Sequence, residues 1–272
     1  MKTRIIAAAI LLPLLLIIVL LWPPIFTAIL FGLAAAVGAY ELTAGTKLVK
    51  PSLLNILACI CAIAVSILSY FGLPYVWTLV LVLSYTAILF AQMLISHAKL
   101  SFRKITVCLA AGLLVPYLLT ALVRLHNMDD NGRFYILIPF VIAFLSDTGA
   151  YFAGKYLGKH KLAPVISPNK TVEGVIGGVV GAMLGMLIFC LVLQLGFDFS
   201  VNYLYALIYG FVGSFAAVFG DLCFSAIKRQ TGIKDYGNLI PGHGGILDRF
   251  DSMTMVAPLV EVLMMLIPVV VR

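Results

Sequence analysis

The sequence contains very little charge: only 11% of its 272 residues are Asp, Glu, Lys or Arg, while 63% are hydrophobic. With a mean hydropathy of +1.13, this composition excludes an ordinary soluble domain. Cysteine is also sparse, and the five cysteines form no C-x-x-C pair and have no histidine at zinc-ligand spacing. They are interpreted as small apolar packing residues rather than as a zinc or redox site.

What the sequence has instead is a series of long apolar runs. A membrane-spanning helix needs roughly 20 residues, and nine runs approach or exceed that length: 5–22, 25–44, 53–71, 75–95, 104–123, 134–153, 174–195, 203–227 and 253–271. Because the runs are continuously apolar rather than alternating, they favour helices over a transmembrane β-barrel. The first run is too long for a signal-peptide core and precedes no small-residue cleavage site, so it counts as a span. We predict an all-α, polytopic transmembrane helix bundle of about nine spans.

The positions of the cations predict how the bundle lies in the membrane. All Lys and Arg residues except Arg124, Arg133 and Arg272 fall at the N-terminus or in loops after even-numbered spans. By the positive-inside rule the N-terminus is then cytoplasmic, and nine spans place the C-terminus outside. The long loops 154–173 and 228–252 face the cytoplasm, as expected for a protein of the cell's inner (plasma) membrane. A topology signal and attraction to anionic lipid headgroups explain the cations at Lys2, Arg4, Lys47 and Lys50 better than those of the long loops, and no nucleic-acid partner is expected despite the net charge of +7.

The eleven acidic residues are informative, because an ionised group inside a bilayer is costly unless it is paired, metal-bound or hydrated. Five of them lie near the cytoplasmic ends of the later spans and are predicted to converge there: Asp147, Glu173, Asp221, Asp248 and Asp251. Oxygen ligands of this kind suit Mg²⁺, which takes one or two carboxylates and completes its shell with water and substrate phosphates. The sequence therefore predicts a metal site at the cytoplasmic face.

Cations and glycines accompany these carboxylates. Several basic residues at the same predicted face suit phosphate oxygens: Lys170, Lys228, Arg229, Lys234 and Arg249. The turn of residues 242–245, Gly-His-Gly-Gly, would let backbone N–H groups wrap an anion. Carboxylates for a metal together with cations for phosphate point to phosphoryl or nucleotidyl transfer.

Most of these residues lie between Ser225 and Asp251, where they follow a characteristic spacing. Ser225-Ala-Ile-Lys-Arg, Lys234-Asp235, Pro241-Gly-His-Gly-Gly and Asp248-Arg-Phe-Asp together resemble the signature of the phosphatidate cytidylyltransferase (CDP-diacylglycerol synthase) family. Upstream, the segment 146–174 resembles the family's other cytoplasmic element, and Glu41 in AYELTAG resembles an acidic position in its second span. The resemblance covers the C-terminal half by motif and the N-terminal half by hydropathy.

The resemblance implies an activity and a set of partners. Members of the family condense CTP with phosphatidic acid, release pyrophosphate and form CDP-diacylglycerol; they need Mg²⁺ and are polytopic membrane enzymes that form dimers. The expected partners are therefore CTP, phosphatidic acid in the cytoplasmic leaflet, membrane lipids and a second copy of the chain. Two alternatives stay open: a cytidylyltransferase acting on another lipid phosphate, such as an isoprenoid ether lipid, and, in a different class, a membrane transporter.

The resemblance also implies a role for each candidate residue. Metal binding is expected of Asp221, Asp248 and Asp251. The expected catalytic set adds Ser225, Lys228 and Arg229. The expected substrate-binding set consists of Lys170, Lys234, Gly242, His243, Gly244, Gly245 and Arg249. A surrounding set, expected to hold the lysines or a second cation, consists of Asp147, Glu173 and Asp235.

The candidate residues suggest how the chain is organised. Residues 1–272 are expected to form a single membrane domain. Within it, residues 1–133 supply N-terminal helices for packing and dimerisation, and residues 134–272 form the catalytic part with both long cytoplasmic loops.

Two expectations concern residues outside the predicted site. Gly177, Gly181 and Gly185 repeat at G-x-x-x-G spacing in the seventh span and predict close helix–helix packing. The histidines outside the signature are expected to be solvated loop residues: His97, His126 and His160.

Overall fold

The protein is largely helical, and its helices follow the apolar runs of the sequence. The computed structural model describes residues 2–50, 52–96, 100–239, 242 and 244–271, with the side chains of residues 2–8 and 11 excepted. The all-α polytopic fold is confirmed. The chain divides into two compact units: unit 1 comprises the residues up to Asp129 together with Lys228–Phe250, and unit 2 comprises Asp130–Ile227 together with the residues from Asp251 onward.

Unit 1 contains the N-terminal helices and the loop of residues 232–250, called the signature loop below. Its helices are α1 (Lys2–Leu21), α2 (Pro24–Tyr40), α3 (Leu53–Phe71), α4 (Tyr75–Ile95), α5 (Phe102–Leu109), α6 (Val115–Leu119), α7 (Ala121–His126) and a short helix of the loop given below. A π-helical turn, Glu41–Gly45, continues α2, and a second, Ala110–Leu114, joins α5 to α6. Helix α2 packs along α3 and also contacts α6 and α7, and Phe31 of α2 and Leu122 of α7 are fully buried.

Unit 2 is built around one closely packed helix pair. Its helices are α8 (Gly132–Tyr135), α9 (Leu137–Leu157), α10 (Val172–Phe197) and α11 (Tyr203–Thr231), whose last turn from Lys228 belongs to unit 1. The chain continues with α12 (Leu247–Phe250) in unit 1 and α13 (Met253–Leu266) in unit 2. Helix α9 packs against α10 along most of its length and also contacts α13.

Two short antiparallel ribbons complete unit 2. Strand β1 (Lys161–Ala163) pairs with β2 (Ser167–Thr171), and β3 (Ser200–Val201) pairs with β4 (Val270–Val271). The loop predicted at 154–173 therefore holds the end of α9, the β1–β2 ribbon and the start of α10. Neither ribbon was predicted from the sequence, because strands this short carry too few residues for an alternating pattern to show.

Seven helical segments among the described residues are long and apolar enough to cross a membrane: Pro24–Gly45, Leu53–Phe71, Tyr75–Ile95, Phe102–His126, Gly132–Leu157, Val172–Phe197 and Tyr203–Thr231. Two shorter apolar helices, Leu12–Leu21 and Met253–Leu266, lie within the first and ninth predicted spans. The chain is thus a polytopic membrane protein, and the count of nine spans stays a prediction.

The glycine repeat of α10 packs against α9, as its spacing predicts. A Cβ on Gly149 of α9 would collide with the carbonyl oxygen of Gly177, and one on Gly181 would lie 2.5 Å from the carbonyl oxygen of Leu145. A Cβ on Gly185 would lie 2.8 Å from the Leu145 side chain. Small residues let two membrane helices approach closely, and the prediction of close packing is confirmed.

One of the three histidines outside the signature, His126, departs from expectation. His126 is buried at the end of α7, where its Nδ1 lies 2.9 Å from the Thr27 hydroxyl oxygen, so the prediction of a solvated residue is wrong there. Burial beside a polar partner satisfies a ring that an apolar span would otherwise leave unpaired. His160 is exposed, as predicted, although its Nδ1 lies 2.6 Å from a Glu173 carboxylate oxygen. His97 lies outside the described residues.

Candidate active site

Asp248 lies at the centre of the polar cluster in unit 1. Its Oδ1 accepts a hydrogen bond from the Lys228 ammonium at 2.8 Å, and its Oδ2 accepts bonds from the backbone N–H groups of Tyr236 at 2.8 Å and Gly245 at 3.0 Å. Only 2% of the Asp248 side chain and 14% of the Lys228 side chain are exposed. Both carboxylate oxygens are thus used within the protein, and they fix Lys228 and two points of the signature loop.

The glycines of the signature turn have conformations that suit glycine. Gly242 and Gly244 have φ values of +77° and +84°, in the left-handed region that side chains disfavour. A Cβ on Gly244 would also lie 2.8 Å from Asp248 Oδ2. The N–H of Gly245 already donates to Asp248, so in this state it is held within the loop. His243 lies outside the described residues, and its predicted role stays a prediction.

Glu41 is a residue of this cluster that the sequence analysis left out of its candidate set. It lies in the π-helical turn after α2, is 4% exposed, and accepts hydrogen bonds from the backbone N–H groups of Ile246 and Leu247, both at 2.9 Å. The available signal was an acidic residue near the end of an apolar span, where an unpaired charge is costly. What the sequence could not supply was its partner, some 200 residues away.

A polar cluster in unit 2 is centred on Asp221. It lies on α11, and its Oδ2 is 2.5 Å from the Lys170 ammonium, which β2 supplies. The Ser225 hydroxyl, one helical turn later, donates to Asp221 Oδ1 at 3.1 Å. The side chains of Asp221 and Lys170 are 29% and 23% exposed, so solvent reaches this pair. The structure therefore brings together three of the predicted site residues.

Two other acids of unit 2 have local roles. Glu173, in the first turn of α10, accepts hydrogen bonds from the His160 backbone N–H at 3.2 Å and holds the residue before β1. Asp251 Oδ1 accepts from the Ser252 N–H at 2.7 Å, and the Asp251 carbonyl oxygen accepts from the Thr254 hydroxyl at 2.7 Å. These contacts fix the start of the β1–β2 ribbon and the start of α13.

The remaining described candidates are exposed side chains. They are Asp147 on α9, Arg229 on α11, Lys234 and Asp235 in the signature loop, and Arg249 on α12. Their predicted contacts with phosphate or with the lysines stay predictions.

The fit to Mg²⁺ differs between the two clusters. Within the described part of the chain, no three His, Cys, Asp or Glu side chains are grouped so as to hold a metal by themselves. Mg²⁺ does not require such a cage, since it binds one or two carboxylates and keeps water and phosphate oxygens as its other ligands. Asp221, solvent-accessible and beside a hydroxyl, fits this role better than Asp248, whose oxygens are both engaged.

Comparison with known proteins identifies the family. The sequence model of the cytidylyltransferase family matches residues 2–267. A phosphatidate cytidylyltransferase of Staphylococcus saprophyticus is 36% identical over 177 residues, which cover 65% of this chain and 65% of that protein. A phosphatidate cytidylyltransferase of Staphylococcus aureus is 37% identical over 184 residues, which cover 68% of this chain and 65% of that protein. The chain belongs to the cytidylyltransferase family.

Proposed function

We propose that this protein transfers the cytidylyl group of CTP to phosphatidic acid, giving CDP-diacylglycerol and pyrophosphate. The observation that carries the proposal is the solvent-accessible Asp221 with Lys170 and Ser225, a charged cluster on one helix and one ribbon of a largely apolar chain. The family match and the similarity to the Staphylococcus phosphatidate cytidylyltransferases support the same reaction.

The proposed reaction needs no protein nucleophile. An oxygen of the lipid phosphate attacks the α-phosphorus of CTP, a new P–O bond forms, and the bond between the α-phosphorus and the bridging oxygen breaks. The electron pair leaves with pyrophosphate. Because the lipid phosphate is already an anionic nucleophile, the protein contributes positioning and charge neutralisation.

The chain's own residues would divide this work. Lys170 would exchange its contact with Asp221 for a nucleotide phosphate, and Lys228, fixed by Asp248, would present a second ammonium to phosphate oxygens. Ser225 would donate a hydrogen bond to a phosphate oxygen or keep Asp221 oriented. Exposed Lys234 and Arg249 would attract the triphosphate from solution.

Magnesium belongs to this proposal as the expected cofactor. Asp221 would hold it, and Asp248 would act mainly by fixing Lys228 and the signature loop. When bound, the ion would neutralise charge on the nucleotide phosphates. Asp251 and a second cation stay part of the sequence-based hypothesis.

Placement in the plasma (inner) membrane as a homodimer also belongs to the proposal, with the site facing the cytoplasm. CTP would then arrive from the cytosol and phosphatidic acid by diffusion within the cytoplasmic leaflet. The dimer rests on the family resemblance, and mass measurement of the detergent-solubilised protein tests it.

Labelling experiments test the orientation. Single cysteines placed at Lys161 and at Asn238 in a cysteine-free background should react with membrane-impermeant reagents only from the cytoplasmic side, because both long loops are predicted to lie there. A cysteine at Asn127 serves as the matched control and should react only from the opposite side. Labelling of position 161 or 238 from outside would reverse the proposed orientation.

An assay of the purified protein tests the reaction. With Mg²⁺, CTP and phosphatidic acid it should form CDP-diacylglycerol and pyrophosphate, whereas ATP in place of CTP should give little product. A panel of lipid phosphates, including an isoprenoid ether lipid phosphate, identifies the acceptor. Movement of a solute across sealed vesicles without consumption of CTP would instead support the transporter.

A further inference from the structure

The π-helical turn of residues 41–45 is built to hold a buried carboxylate against the signature loop. Glu41 is 4% exposed, and each of its carboxylate oxygens accepts one backbone N–H of the loop, Ile246 at Oε1 and Leu247 at Oε2. Charge-assisted bonds of this kind are stronger than neutral ones. An apolar span would exclude such a charge unless it were paired in this way.

Three glycines provide the room for this contact. A Cβ on Gly245 would collide with Glu41 Oε1, and a Cβ on Gly237 would lie 2.6 Å from the same atom. On the other side, a Cβ on Gly45 would collide with the carbonyl oxygen of Tyr236. The π-helical turn therefore packs closely against the loop at two places, near the start of the loop at Tyr236 and Gly237 and near its end at Gly245.

Glu41 and Asp248 together close the base of the loop. Asp248 takes the N–H groups of Tyr236 and Gly245, and Glu41 takes those of Ile246 and Leu247. Two buried carboxylates thus satisfy four backbone donors and tie the start of the loop to its end. The Gly-His-Gly-Gly sequence, residues 242–245, ends at Gly245, one of these four donors.

We propose that Glu41 is a positioning residue for nucleotide binding: it holds the base of the signature loop, Tyr236 and Gly245–Leu247, in place before CTP arrives. The inference rests on the proposed function for the identity of the nucleotide. Glu41 contacts the loop backbone rather than the substrate, so it acts through the loop. A loop that is ordered in only a fraction of molecules binds its ligand more weakly by that fraction.

Substitution of Glu41 by Gln tests the proposal. The amide keeps one acceptor but turns an NH₂ group toward the second loop N–H, so one bond is lost. If about one molecule in ten then has an ordered loop, the KM for CTP should rise about tenfold, while the KM for phosphatidic acid and kcat change less than about threefold. A purely structural role would lower the fraction of active molecules and hence kcat, with the KM for CTP unchanged.

A second variant approaches the same contact from the loop. Gly237→Ala places a methyl group 2.6 Å from Glu41 Oε1, so it should displace the carboxylate and raise the KM for CTP as Glu41→Gln does. Thr46→Val is the matched control, because the buried Thr46 hydroxyl donates to the Leu42 carbonyl at 2.7 Å and accepts from the Leu48 N–H at 3.4 Å, and neither partner belongs to the signature loop. It should leave the KM for CTP unchanged.

Hydrogen exchange of the substrate-free protein measures the loop independently of catalysis. The peptide containing residues 244–250 should exchange faster in Glu41→Gln and Gly237→Ala than in the parent or Thr46→Val, and added CTP should restore protection. Equal exchange in all four proteins, or a KM for CTP that changes no more in Glu41→Gln than in Thr46→Val, would overturn the proposal. A parent that forms no CDP-diacylglycerol would refute the proposed reaction, while exchange would still decide the role of Glu41.

Discussion

Replacement of Asp221 by Asn should lower turnover by about 10²–10³, the range for loss of a charge-stabilising contact worth ~3–4 kcal/mol. The amide retains the shape of the side chain but loses the charge that Lys170 and a metal require. Because the Lys170–Asp221 pair is partly exposed to solvent, the free energy of unfolding should change by no more than about 1 kcal/mol. Steady-state kinetics and thermal unfolding of the purified variant measure the two effects.

The stability measurement also reports on the metal. Mg²⁺ that binds only the folded protein should raise its thermal stability, and Asp221→Asn should lose most of this increase. Glu261→Gln is the control, since Glu261 is a buried carboxylate of α13 with no assigned part in the reaction. Its activity should stay within about tenfold of the parent, or ~1.4 kcal/mol. Near-parental activity in Asp221→Asn together with an inactive Glu261→Gln would move the site to α13.

Replacement of Asp248 by Asn should abolish activity and also destabilise the fold. The change leaves the Lys228 ammonium, 14% exposed, without its carboxylate and weakens the bonds to Tyr236 and Gly245. Loss of one partner from a buried ion pair costs about 3–5 kcal/mol, and the residual exposure of Lys228 places this case near the low end. Turnover should fall by at least about 10², because Lys228 and the loop are both displaced.

A double substitution separates the two effects. In Asp248→Asn with Lys228→Met, no buried charge is left unpaired, so most of the lost stability should return. Activity should not return, since the ammonium proposed to contact phosphate is absent. A single Asp248→Asn variant as stable as the parent would show that the ion pair does not stabilise unit 1. An active double variant would remove Lys228 from the proposed mechanism.

The helices were the part of the fold most accessible from sequence. Helices α3 and α4 begin and end at the predicted residues, 53–71 and 75–95. Pro51, Gly72 and Pro74 lie close to three of these ends, and polar residues follow the fourth at Ile95. The close packing of α10 was likewise readable, since small residues at a four-residue spacing form one face of a helix. Helix ends and the small-residue face of α10 both depend on residues that are near one another in the sequence, so a sequence pattern can show them.

The contacts of the candidate site were much harder to predict from the sequence. The sequence indicated that Asp248 and Lys228 were functional, but it did not show that they pair with each other or that Asp248 also binds two loop N–H groups. It assigned His126 to solvent, although a hydroxyl from another helix allows the ring to be buried. In each case the missing information is the identity of a distant partner, which residue spacing does not encode.

The number of residues in the π-helical turn matters as much as their chemistry. Hydrogen bonds in a π-helix join residues five apart rather than four, so removal of a single residue between Glu41 and Gly45 would shift Gly45 away from the Tyr236 carbonyl and bring the side chain of Thr46 into its place. Such a deletion removes no charge and leaves every motif of the C-terminal half intact. The chain is therefore constrained in length at the end of α2, and loops or tags inserted for engineering are better placed elsewhere.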